Sequence, residues 1–102
     1  MPAASNPGDR TFFEVTPNPL RAGSVFRYRI PVDQTNAVVS LGIYDAQGRR
    51  LHTFPGGSVG GGLYESPWDG RAEGGRRLPP GVYFARLESG GEAKTIKVMV
   101  AP

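Results

Sequence analysis

The sequence predicts an all-β fold, an immunoglobulin-like antiparallel β-sandwich of about seven strands over residues 11–102, after a flexible tail over residues 1–10. Three observations carry that expectation. The first is punctuation. The 102 residues include 15 Gly and 10 Pro, and the longest stretches free of both, Val32–Leu41 and Glu92–Ala101, run ten residues each. A Gly costs about 1 kcal/mol and a Pro about 3 kcal/mol in a helix interior. Helical bundles, coiled coils and membrane-crossing helices are therefore excluded. The second is alternation of apolar and polar residues at period 2, the signature of strands with one wet face. The third is the recurrence of turn residues roughly every 8–12 positions, as a small sandwich requires. Disorder is not favoured: Leu, Ile, Val and Phe supply 23 residues and the net charge is only +3.

Taken in order, Met1–Arg10 is small and polar with two Pro and is expected to be a tail or linker end. Thr11–Val15 is a short β-type run. Pro17-Asn18-Pro19 makes a rigid extended turn, because each Pro pushes its predecessor out of the α region. Val25–Ile30 alternates most cleanly, with Phe26, Tyr28 and Ile30 on one face and Arg27 and Arg29 on the other. Val38–Tyr44 places Val39, Leu41 and Ile43 inward. Asp45-Ala46-Gln47-Gly48 then fits a type I turn with a Gly bulge, and Arg49–Phe54 runs back as the second strand of a hairpin. Pro55–Gly62 holds five Gly in eight residues and is expected to be a mobile loop. Leu63–Trp68 is extended, and Pro67 marks it as an edge or strand end. Asp69–Gly81 is turn chemistry throughout. Val82–Glu88 and Lys94–Val100 flank Ser89–Glu92 as a second hairpin, with Ile96, Val98 and Val100 inward.

Composition also removes function classes. With 0 Cys there is no disulfide, thiolate nucleophile or zinc-thiolate cluster. Met1–Arg10 lacks an apolar h-region, so an exported protein would carry its export signal elsewhere. The chain has 12 basic and 9 acidic residues, and ten of the basic ones are Arg. That balance permits attraction to anionic polymers without demanding it. No aromatic-basic signature of nucleic-acid binding is present. Of six Ser residues, Ser58 stands in Gly56-Gly57-Ser58-Val59-Gly60, which has the Gly-x-Ser-x-Gly spacing but no following helix to make it a nucleophile elbow. The one His, His52, lies inside the first hairpin as a solvated strand residue. Asp45 and Asp69 sit beside glycines, where Asp accepts bonds from backbone N–H groups. Asp69-Gly70-Arg71-Ala72-Glu73 is a poor calcium loop, since an Arg stands between its acids. Gly56–Gly62 lacks the Lys-Ser/Thr and the following helix of a phosphate cradle. The expectation is a protein that is not an enzyme and holds no cofactor or metal.

Binding chemistry has two leads. Trp68, with the tyrosines, suggests a sugar-stacking platform, although a lone Trp at a strand end more often closes the core. Arg27 and Arg29 project from the polar face of their strand and are candidates for contact with an anionic surface polysaccharide. A solvated or aggregation-blocking face is the commoner reason for such residues.

Five motifs fall in a recognisable order: Pro17-Asn18-Pro19; Ile43-Tyr44-Asp45 with Gly48-Arg49; Trp68-Asp69-Gly70-Arg71; Gly81-Val82-Tyr83-Phe84 with Arg86-Leu87; and Lys97-Val98-Met99-Val100. Together, over about residues 15–100, they resemble the FlgD-type immunoglobulin-like domain and the similar C-terminal sorting domains of the bacterial type IX secretion system. The resemblance implies a non-catalytic module of a longer protein, secreted or at the cell surface of a Gram-negative-type bacterium, that meets a secretion translocon or neighbouring domains. By position, Pro17, Asn18 and Pro19 mark the start of the module, and Gly81, Tyr83 and Lys97 fall in the hairpin resembling a sorting signal. The alternatives are an assembly module like that of the flagellar hook cap and a carbohydrate-binding accessory module. Lys94–Val100, as an uninterrupted edge strand, is a natural surface for β-augmentation.

Overall fold

Period-2 alternation, turned at Gly and Pro, produces two antiparallel sheets. The computed structural model describes residues 12–19, 24–30, 37–54, 56–89 and 91–101; the tail expected over residues 1–10 lies outside them. The smaller sheet has the order β1-β2-β6, built from Phe12–Thr16, Ser24–Ile30 and Gly62–Trp68. The larger has the order β4-β3-β7-β8, from Arg50–Thr53, Ala37–Tyr44, Gly81–Ser89 and Glu92–Val100. A further strand, β5 (Gly57–Val59), pairs with Ala37–Val39 of β3, while β4 pairs with Gly42–Tyr44. β4 and β5 thus lie end to end along one edge of β3 and fill a single sheet position. The result is a seven-position immunoglobulin-like sandwich.

The inward rows are those the alternation predicts. Phe26, Ile30, Ile43, Leu87 and Val98 are the large side chains shut off from solvent, with Phe13, Val15, Tyr28, Val39, Leu41 and Trp68 around them. Each such side chain contributes roughly 1.5–3 kcal/mol by leaving water. Phe26 is the hub of an aromatic cluster, its ring centroid 5.9 Å from Phe13, 5.5 Å from Phe54 and 5.9 Å from Trp68. Ile96 and Val100 of β8 are partly buried against this core, while Lys97 and Met99 face out.

The first hairpin turns as its residues dictate. The Gly48 N–H donates to the Asp45 carbonyl at 3.0 Å, and Gly48 has φ 87°, a region that favours glycine. The Asp45 carboxylate accepts from the backbone N–H groups of Gln47 and Arg49, both at 2.9 Å, and pairs with the Arg49 side chain.

Two expectations are corrected. The segment Pro55–Gly62 is not one loop: β5 occupies Gly57–Val59, and β6 begins at Gly62. Backbone pairing with β3 orders it, and Gly56 makes the approach possible, since a Cβ there would overlap the Val39 carbonyl oxygen. His52 is not a solvated strand residue. Its ring stands edge-on to Phe54, 4.7 Å between centroids, and lies stacked at 6.3 Å from Trp68.

Candidate functional site: the edge of the C-terminal hairpin

β7 and β8 pair over nine residues each, from Gly81↔Val100 to Ser89↔Glu92. Among the described residues β8 has no strand on its other side, so it forms a full-length edge of the larger sheet. Of the nine residues that the sequence nominates, six lie in this hairpin or in the turn after β1 that reaches it.

Asn18 and Lys97 are joined directly. The Asn18 side-chain amide donates to the Lys97 carbonyl at 3.1 Å, and its Oδ1 accepts from the Met99 backbone N–H at 3.0 Å. The turn after β1 is thereby pinned to β8 across the sandwich. Pro17 and Pro19 flank Asn18, and the Pro17 carbonyl accepts from the buried Ser24 hydroxyl at 3.3 Å. Gly81 opens β7 with φ 152°, carrying the chain from Pro79-Pro80 straight into the strand.

Tyr83 is structural in its placement. It is 8% exposed, and its hydroxyl donates to the Pro79 carbonyl at 2.6 Å. A Tyr at the start of a strand, bonded back to the preceding backbone, is the tyrosine corner of immunoglobulin-type sandwiches. The Lys97 side chain lies in a row with Tyr44 and Phe84 on the outer face of the larger sheet. The Arg50 guanidinium stands 5.9 Å from the centre of the Tyr44 ring.

The other three candidates lie away from this edge. Trp68 is 4% exposed and its indole N–H donates to the Arg71 carbonyl at 2.9 Å, so it has no open face for a sugar ring. Arg27 sits on the outer face of the smaller sheet, in register between Glu14 and Glu65. Its Nε donates to Glu65 at 2.9 Å, and Glu14 lies 3.7 Å from its other end. The hydrogen bond to Glu65 holds the Arg27 guanidinium above its usual range, helped by the charge of both carboxylates. Its charge is already answered within the protein. Arg29, one row along, has Phe12 and Leu63 as cross-strand neighbours and no acidic partner among the described residues.

The remaining polar groups assemble no reaction centre among the described residues. Asp69 accepts from the Arg71 N–H at 3.1 Å and braces its own turn, while Glu73 accepts from the Thr53 N–H at 2.9 Å and ties its loop to the end of β4. Glu73 also comes within 3.8 Å of the His52 Nδ1. No three His, Cys, Asp or Glu side chains converge as metal ligands among the described residues. A shallow groove of about 330 Å³ opens where β8 begins, with Val38, Ser40, Arg86, Glu88 and Ala93 in its lining. Two of its charged residues, Arg86 and Glu88, pair with each other at 2.8 Å.

Sequence reasoning nominates Asn18 and Lys97 separately and misses Met99, which completes the contact. The only signal is Met99's place two residues after Lys97, on the same side of the strand.

Comparison with known proteins adds three findings. The family model described as the FlgD Ig-like domain matches residues 18–92. That span opens at Asn18 and closes where β8 starts. No curated protein matches the chain. Among solved structures, PorZ of Porphyromonas gingivalis, a bacterial surface component essential to the type-IX secretion system, is similar at 26% identity and a TM-score of 0.61. The alignment covers 88% of this chain and 11% of PorZ, so the likeness is to one part of a much longer protein.

Proposed function

The chain belongs to the FlgD Ig-like domain family, and we propose that it is a non-catalytic recognition module of a bacterial protein that is secreted or held at the cell surface. Its role is sorting or attachment through protein–protein contact, with a type IX-like translocon or the surrounding domains as partner. The observation that carries this reading is the nine-residue edge of β8, which among the described residues pairs with β7 on one side only. Apart from the Lys97 carbonyl and the Met99 N–H, which Asn18 holds, such an edge offers backbone donors and acceptors to an extended segment of a partner. Likeness to PorZ supports a secretion context.

An assembly role like that of the flagellar hook-cap domain is the second reading, favoured by the family match itself. The two differ in what the module does when moved. Fused to the C-terminus of a periplasmic reporter in a bacterium with a type IX system, a sorting module carries the reporter to the surface or medium. A reporter that stays in the periplasm contradicts the sorting role.

A further inference from the structure

Backbone groups in a strand point alternately to its two edges. The Met99 N–H and the Lys97 carbonyl both reach Asn18, so residues 93, 95, 97 and 99 face outward, and residues 92, 94, 96, 98 and 100 bond to β7. A carbonyl at one outward position and the N–H two residues on are the pair that an added strand would engage. Asn18 engages both with one side-chain amide, donating with Nδ2 and accepting with Oδ1. It stands where a backbone N–H and a backbone C=O of an incoming strand would stand.

The consequence for self-pairing follows from register. Two copies of β8 running antiparallel match Thr95 with Thr95, and Ala93 with Lys97, in the register that balances their free groups. Sliding toward the C-terminus brings in Met99. Every such ladder uses backbone at Lys97 or Met99, where Asn18 sits. Only Ala93 and Thr95 stay clear of it, and two positions make no stable ladder.

We propose that Asn18 is a latch on the β8 edge: bonded to Lys97 and Met99, it keeps the edge from pairing with the β8 of a second copy, and releasing it exposes the full edge to an extended strand. This rests on and deepens the reading of β8 as a recognition edge, since it names the residue that controls access. Exposure of all three residues allows the latch to open without disturbing the core.

The test uses the purified 102-residue chain and the variants Asn18→Ala, Asn18→Asp and Thr95→Pro. Asp keeps the side-chain size but sets a carboxylate against the Lys97 carbonyl, so it opens the latch even if Ala perturbs the turn. Thr95 N–H faces outward, so Pro there removes no bond to β7. The native protein is expected to remain monomeric in light scattering. Asn18→Ala, which loses both competing hydrogen bonds, and Asn18→Asp, which replaces the one to the Lys97 carbonyl with repulsion, are expected to associate at least about tenfold more tightly. Adding Thr95→Pro to either returns it to monomer. At low concentration, amide exchange at Met99 quickens in Asn18→Ala, which has no acceptor at this position. Association no tighter than native in both variants, or association that survives Thr95→Pro, overturns the latch. Export of reporter fusions is a separate readout. If Asn18→Ala associates through β8 while a Thr95→Pro fusion is exported normally, the latch stands and the recognition reading fails. If neither Asn18 variant associates while the Thr95→Pro fusion is held back, the latch fails and the recognition reading stands.

Discussion

The hydroxyl of Tyr83 donates to the carbonyl of Pro79 at 2.6 Å, tying the stretch of chain before β7 to the ring that anchors it in the core. Tyr83→Phe removes that bond while keeping the ring. Because Pro79 is exposed, water replaces the donor, and the expected loss is about 1 kcal/mol. A thermal melt should move down by about 4–8 °C for a domain of this size.

Trp68 is the only Trp in the chain, and it is packed among Phe26, Phe54 and His52. Its fluorescence should be that of a buried indole and should shift to the red on unfolding. Trp68→Ala is expected to cost about 3–5 kcal/mol, read by denaturant titration followed by circular dichroism. A variant of native stability would remove Trp68 from the core.

Gly56 passes so close to β3 that a Cβ would overlap the Val39 carbonyl oxygen. Backbone cannot yield as a flexible side chain can. Gly56→Ala should therefore destabilise by about 1–3 kcal/mol, and amide exchange should locate the damage in β5 and the facing end of β3.

The turn at Asp45 sets a pH dependence. Partial burial is the largest single influence on its carboxyl and pushes it up, but the hydrogen bonds from Arg49 and Gln47, with the Arg49 charge, outweigh it and hold the group below its usual range. A carboxyl lowered by folding stabilises the protein above its unfolded value of about 3.9 and ceases to do so as pH falls through the folded value. The unfolding midpoint should fall with acid in that window. In Asp45→Asn, which keeps an oxygen for the Gln47 and Arg49 N–H groups but carries no charge, the fall should be shallower.

Seven of the strands are legible in the sequence because burial acts locally on alternating residues: Phe26, Tyr28 and Ile30, or Val39, Leu41 and Ile43, can be inside only if the segment is extended. β5 is not legible. Gly57-Ser58-Val59 has no alternating apolar row, and its order comes from backbone pairing with β3, which its own sequence does not announce. Trp68 reads more readily as plug than as platform, and its packing against Phe26, Phe54 and His52 shows the plug. The tie between Asn18 and β8 spans 79 residues to Lys97 and 81 to Met99, so it depends on the sandwich having closed. Arg27 carries a charge visible in sequence, whereas its neutralisation by Glu14 and Glu65 depends on strand register.

The measurement that bears most directly on the role of the β8 edge is export of a reporter fused to the native chain or to Thr95→Pro, in a bacterium with a type IX secretion system. Pro at this position blocks the outer edge of β8 while leaving its pairing with β7 intact. The native fusion is predicted to reach the surface or medium, and the folded Thr95→Pro fusion to be held back. Equal export of the two fusions, with the variant shown to be folded, would contradict a recognition role for β8.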